Sequence, residues 1–491
     1  TLGYHNTCKR QFLFISLYPL SFGRAGRQEQ ASGPCRIFFF PRLWYTFRKG
    51  KVKHMQLRVK RVKFGDCALL ETEGRRLIVD CGSDNRGARP AQGKSRFAYS
   101  AIRSAIDDDL PTDLLVSHFH SDHFCGFLRL PEPGTLLRAA PPIETAWLPW
   151  SLLKSGQPAF SGAMARLLAV APANSYGFRL TRQILDLFQH LTVCARRIRF
   201  VRTGSRIPLD GAHLRVLWPQ VEFPLMVRSK PGKGPFFQHY WDEGSDAERF
   251  DYDLYPYQEM EAQAETLFLG LLERLGPRRG ALLEARRGVQ SALNAYLELL
   301  HQEQPPREAP AERFQALRAS MEPLLALHDA LWADLARPGA PQALITDLKG
   351  FAKAQYHRLV DGLNAMSVVC DLEDRVLFLG DAPPHVVDHI HGSGAGFRRF
   401  YQVVKLQHHG TGAYFTPKTP AGDHYILSNG GYERRKVGVN PIKSLTRQPS
   451  CLLHCTDAHD DPARFCRYAR DCGGCSPNCR PVTGDELVLP L

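Results

Sequence analysis

Four side chains able to hold a metal ion fall within six residues: His118, His120, Asp122 and His123, in the run Ser117-His118-Phe119-His120-Ser121-Asp122-His123. The run directly follows the apolar stretch Leu114-Leu115-Val116. An apolar run that stops abruptly in ligands is the pattern of a buried central strand whose C-terminal end opens into a site. Neutral imidazoles and a carboxylate suit zinc and other borderline divalent ions. The spacing lets His118 and His120 serve one ion while Asp122 and His123 serve a second. Two such ions, ~3.5–4 Å apart, would lower the pKa of water toward about 7 and supply a nucleophile at neutral pH. Asp122 can also orient that nucleophile. Four surface polar residues are the plain alternative, but packing gives no reason for such a density of ligands after a buried strand.

The elements that must position this run begin at Met55 and read strand, turn, strand. Leu57 to Val62 is followed by Cys67-Ala68-Leu69-Leu70-Glu71, a turn at Glu73-Gly74, and Arg76-Leu77-Ile78-Val79-Asp80. A helix is expected around Arg96 to Asp107. Short strands and helices alternate from Glu144 to Pro219, closing with Leu214 to Pro219. Residues 221–341 differ: a Gly/Pro/Lys loop, Ser229 to Pro235, precedes three helical patterns near Gln258–Leu275, Arg278–His301 and Ala311–Ala336. Apolar residues recur there at three and four spacing, as in Leu293, Leu297 and Leu300. This helical insertion reads either as a packing appendage or as a lid, and it offers a face for a protein partner. Strands resume with Ser367 to Leu372, Arg375 to Asp381, Val403 to Leu406 and Tyr425 to Ser428. No repeat of fixed period runs through the chain, although its two strand-rich halves are loosely alike in layout.

The metal run resembles the signature of the metallo-β-lactamase superfamily, and further landmarks follow in order. The resemblance covers residues 56–220 and 342–490. It implies an α/β fold, an αββα sandwich whose first half is residues 55–220 and second half residues 342–450, with the 221–341 insertion between them. It also implies roles. Asp80 matches the strand-end aspartate that supports the metal loop, Asp381 in Phe378-Leu379-Gly380-Asp381 the carboxylate bridging two ions, and His408-His409-Gly410 the last histidine position. Within the superfamily the motifs are most similar to the soluble domain of the DNA-uptake protein ComEC and to the phosphorylcholine esterases. The similarity is carried by Phe64-Gly65-Asp66-Cys67-Ala68-Leu69-Leu70, Asn364-Ala365-Met366-Ser367-Val368-Val369 and Val404-Lys405-Leu406-Gln407-His408-His409-Gly410. A third histidine for the first ion, common in the family, has no strand-end match among His190, His213, His239, His301, His328 and His357. Asn364 stands where it is expected, as a metal or substrate ligand or as a turn cap before the strand; an amide oxygen binds zinc less well than imidazole, which leaves manganese as an alternative ion. Of His408 and His409, one should bind metal and the other face substrate; His409 is favoured as ligand and His408 as the phosphate-contacting or proton-donating group.

Composition narrows the class. The chain has 491 residues, 44% hydrophobic and 23% charged, values near those of globular domains. No apolar run reaches the ~18–20 residues that span a bilayer, so no membrane role is expected. Residues 1–54 carry ten Lys/Arg against the single acid Glu29, so they hold +9 of the formal +14 and leave +5 for the remainder. The pI near 9.2 is therefore weak evidence for a nucleic-acid partner. The compositional break predicts that residues 1–54 are a non-native or disordered upstream segment; a cleaved signal is disfavoured by Ser16 and Pro19 in its apolar stretch. Six of 13 cysteines fall in the tail, residues 451–491, which ends in a final strand. Cys466, Cys472, Cys475 and Cys479, with Cys451, Cys455, His454 and His459 upstream, are candidate ligands of a structural zinc, with reduced thiols or disulfides as alternatives. Without a secretion signal a reducing cytoplasm is expected.

These features together predict a hydrolase working through two divalent ions, zinc before manganese, with a phosphodiester of a small molecule or nucleic acid as substrate. An ester, thioester, lactone or β-lactam is the alternative bond. A non-catalytic metal-binding sensor or interaction module is the reading from a different class.

Overall fold

The structure is a computed structural model. It describes residues 54–62, 65–83, 110–129, 143–150, 160–220, 226–229, 253–302, 308–394, 396–410, 414–428, 451–456, 479–482 and 484–491. The expected upstream segment, the helix around Arg96 to Asp107, and Cys466, Cys472, Cys475 and His459 of the tail lie outside the described residues.

One sheet begins with β1 (Gln56–Lys60), β2 (Cys67–Glu71) and β3 (Arg76–Cys81), an antiparallel meander turning at Glu73 and Gly74. It continues in parallel through β4 (Thr112–Leu115), β5 (Ile143–Pro149) and β6 (Ala195–Val201). Between these lie a short helix α1 (Ser121–Phe124), then α2 (Phe160–Val170) and α3 (Tyr176–Cys194). The second sheet opens with β7 (Arg206–Leu209) and β8 (Ala212–Trp218). After the ribbon β9 (Met226–Ser229) and β10 (Asp253–Pro256) come four long helices. These are α4 (Tyr257–Glu273), α5 (Arg278–Leu300), α6 (Ala309–Leu335) and α7 (Gln342–Ala365). The second sheet resumes with β11 (Val369–Leu372) and β12 (Val376–Phe378), followed by α8 (Pro384–Gly392). It ends with β13 (Phe400–Lys405), β14 (Ala421–Leu427), β15 (Leu452–Cys455) and β16 (Cys479–Pro481). The last strand, β17 (Glu486–Pro490), returns to pair with β1.

Side-chain alternation along these strands explains the layers. Leu57, Val59, Ala68, Leu70, Val79 and Leu115 of the first sheet share one core with Leu214, Val216, Cys370 and Phe378 of the second. Their alternates, such as Leu69, Ile78 and Leu114, face the other way into a core built with α2 to α7. The outer face of the second sheet, with Val369, Leu377, Val404 and Tyr425, packs on Val386, Val387 and Ile390 of α8. The result is an αββα sandwich, as the resemblance implies. Apolar spacing does not reveal α7, because its inward face also carries the buried polar residues Gln355, Arg358, Asp361 and Asn364. Polar groups also tie the helices together: buried Arg166 of α2 pairs with Glu261 and, at 2.8 Å, with Glu265 of α4, and Arg286 of α5 shares Glu265 at 2.9 Å. No helix of the described residues is long and apolar enough to cross a membrane.

Candidate metal centre

Five strand ends converge. The metal run leaves β4, with His120 at the N-cap of α1 and Asp122 and His123 within that helix. Asp66 sits just before β2 and Asp80 near the end of β3. Strand β12 stops at Phe378, earlier than the sequence suggests, so Leu379, Gly380 and Asp381 turn out of the sheet toward the run. His408 and His409 follow β13. Asp80, His408 and His409 all adopt positive φ, at 57°, 46° and 57°. Such conformations cost about 1–3 kcal/mol each in non-glycine residues and collect where a side chain must be aimed at a site.

Close backbone approach fixes the loop from behind. The Gly82 backbone N–H donates to the Asp66 carbonyl at 2.9 Å, and that of Asp66 to the Asp122 carbonyl at 3.0 Å. A Cβ on Gly82 would lie 2.1 Å from the Asp122 carbonyl carbon, so only glycine lets β3 pass beneath the metal run.

The side chains form two groups whose ligand atoms lie within 4.8 Å of one another: His118, His120 and Asp381, and Asp66, His123, Asp381 and His409. Asp381 belongs to both. The Nε2 atoms of His118, His120 and His123 and both carboxylate oxygens of Asp381 are buried with no hydrogen-bond partner among the described residues. Ring centroids of His118 and His123 stand only 4.0 Å apart. Buried acceptors left unpaired are costly, and convergent imidazoles and carboxylates are satisfied together by divalent cations. The donor set therefore fits two ions sharing Asp381.

Neighbouring groups hold these side chains in place. Asp80 accepts from the Ser117 backbone N–H and from the Ser117 hydroxyl, both at 2.6 Å, and from His123 Nδ1 at 2.9 Å. With its Nδ1 proton held there, His123 turns Nε2 into the cluster. Asp66 lies 2.8 Å from Lys405 Nζ and accepts from the Ser428 hydroxyl. Burial alone would raise the Asp66 carboxyl, but Lys405 and His409 outweigh it and hold it well below the usual carboxylate range. Burial would likewise raise Asp381, and His123, His408 and His118 pull it well below that range. Burial works against a charged His409 ring, yet Asp66 and Asp381 push it up to about 9.

The residues singled out from the sequence are thus brought together, with changes of position. His409 lies in the cluster and His408 beside it: His408 Nε2 is 3.6 Å from Asp381, and its side chain is 16% exposed while that of His409 is fully buried. Asp122, expected as a ligand, falls outside both groups and meets His409 Nε2 at 3.0 Å. Asp66 stands in the group instead. The only local hint of Asp66 is the Gly-Asp pair before β2; its partners Lys405 and Ser428 are more than three hundred residues away. Asn364, at the end of α7, donates through Nδ2 to Tyr414 Oη at 3.0 Å, and the Tyr414 ring stacks on His408 at 3.8 Å and 25°. The backbone carbonyl of Asn364 accepts from the Ser367 backbone N–H at 3.0 Å, a turn that any residue there would close. Among the tail candidates, Cys451 is buried, Cys455 ends β15, and His454 Nε2 lies 2.9 Å from His424 Nδ1.

No curated protein compared with the chain is a match. The matched family model begins just after β1 and ends just past β9, so it includes His118, His120, Asp122 and His123 but not Asp381, His408 or His409. Residues 61–231 match the model of the metallo-beta-lactamase superfamily.

Proposed function

We propose that the protein is a metal-dependent hydrolase acting on a phosphodiester. Members of the superfamily are mostly hydrolases, and the buried His/Asp cluster suits that chemistry. Divalent ions held by His118, His120, Asp66, His123, His409 and the shared Asp381 would polarise a substrate oxygen and lower the pKa of water toward about 7. The chain's own residues do the rest. Asp80 keeps the proton of His123 on Nδ1, and Asp122 accepts from His409 Nε2, which leaves His409 Nδ1, 3.6 Å from Asp66, for an ion.

The observation that carries the phosphodiester reading is His408. It lies outside both ligand groups, is part-exposed beside Asp381, and is held by the Tyr414 ring. Phosphoryl transfer spreads charge over several oxygens and needs a proton at the leaving oxygen, and an imidazole placed beside the ions can supply it from Nε2. The similarity of the Gly-Asp, Asn-x-x-Ser and Lys-x-x-His-His-Gly segments to the ComEC and phosphorylcholine-esterase motifs agrees with this bond. The test is turnover of bis-p-nitrophenyl phosphate, a lactone and nitrocefin with zinc and with manganese. Phosphodiester cleavage is expected; turnover of the lactone or nitrocefin alone would move the reading to a carbonyl substrate, and no turnover with metal bound would favour a non-catalytic module.

A further inference from the structure

Between Asp186 and Asp210 the chain has no acidic residue, yet residues 195–209 contain Arg196, Arg197, Arg199, Arg202 and Arg206 and no lysine. Four of the five sit on or just after β6, which pairs only with β5 among the described residues and so forms an edge of its sheet. Ile198 and Phe200 turn toward the helical core, which places Arg197 and Arg199 together on the opposite face. Arg196, Arg197, Arg202 and Arg206 are exposed and Arg199 half-buried. Arg196 has Glu144 at 3.5 Å; among the described residues no acid forms an ion pair with the other four. The Arg202 guanidinium lies over the Trp150 ring, 4.8 Å from its centroid.

Charge on an edge strand has an ordinary use, since it discourages pairing with another sheet. That use is served by either sign and by lysine as well. A run of one sign, made entirely of the residue whose planar fork engages phosphate oxygens, matches a repeated phosphate instead. Position agrees. β4, β5 and β6 run parallel, so the end of β6 that carries Arg202 opens on the same end of the sheet as the metal run after β4.

We infer that the arginine-lined edge at β6 binds the phosphate backbone of a nucleic acid and presents it to the metal centre. This rests on the phosphodiester reading and narrows it to a polymeric substrate. The probe is a fluorescein-labelled single-stranded DNA, titrated by anisotropy against the full chain in a chelator, from about 50 to about 200 mM salt. The double variant Arg197→Glu/Arg199→Glu keeps an edge charged. It should weaken binding at least tenfold at the lowest salt and reduce the slope of log affinity against log salt by about 0.7 per arginine. Arg197→Lys/Arg199→Lys should retain most of the affinity, and hydrolysis of bis-p-nitrophenyl phosphate should be unchanged in both. Equal affinity and slope in the reversal variant would overturn the inference, as would polyglutamate competing as well as the DNA at equal charge. Reversal-sensitive binding without small-diester turnover would remove the proposed reaction and leave the surface; turnover without reversal-sensitive binding would do the opposite.

Discussion

Asp80→Asn tests the positioning of the cluster with a change of one atom. Three donors converge on the two Asp80 oxygens: the Ser117 backbone N–H on Oδ1, and the Ser117 hydroxyl and His123 Nδ1 on Oδ2. An amide oxygen placed to accept from the Ser117 backbone N–H leaves its NH2 facing His123 Nδ1. The ring proton then moves to Nε2, the atom aimed at the ion, and His123 can no longer bind there. The reversed amide places NH2 against the Ser117 backbone N–H and loses a buried hydrogen bond, at about 1–3 kcal/mol. Loss of such a support weakens metal affinity ~10–100-fold, equivalent to about 1.4–2.8 kcal/mol. The affinity is read by zinc competition against a chromophoric chelator, and stability separately by melting the chelator-treated protein. Wild-type zinc affinity in Asp80→Asn would refute the reasoning, whatever its melting temperature.

Other outcomes follow from the same geometry. His408→Ala should slow phosphodiester turnover by roughly 10²–10⁴ with metal content unchanged, whereas His409→Ala should lose an ion; both are read by steady-state kinetics and metal analysis, and the reverse pattern would exchange their roles. Lys405→Met leaves the buried Asp66 without its cation and should cost about 3–5 kcal/mol in urea unfolding with chelator, with part of the loss recovered on adding zinc; an unchanged midpoint would contradict this. The His454 imidazole is held down to about 4, first by burial and then by His424 and Arg480. Unfolding frees it to protonate near its ordinary ~6.5, so its contribution is full above that pH and drains away toward pH 4. His454→Gln should therefore flatten the fall of melting temperature across that window, and an equally steep fall would show that other groups set it.

What could be read from the sequence was local. His118, His120, Asp122 and His123 announce themselves because β4 and α1 place them within one short run, and β3, β13 and β14 are marked by apolar stretches that end in polar residues. What could not be read was pairing through space. Asp66 looks like an ordinary strand-leading aspartate until Lys405 and Ser428 are seen to converge on it. The contact of Asp122 with His409 joins residues on opposite halves of the sandwich, which no spacing rule anticipates. Asn364 is legible as unusual, but its link to His408 is not, because that link runs through the Tyr414 ring. Helix α7 escaped the apolar pattern because Gln355, Arg358 and Asp361 are buried polar groups on its inner face.

Counting ions tests the central claim most directly. Native mass spectrometry of the full chain, reconstituted with zinc or manganese and freed of excess metal, should show two divalent ions per chain. Asp381→Ala, which removes the carboxylate shared by both ligand groups, should hold fewer than two while keeping the wild-type circular dichroism spectrum. A wild-type chain that retains no ion, or a folded Asp381→Ala variant that retains both, would contradict the account.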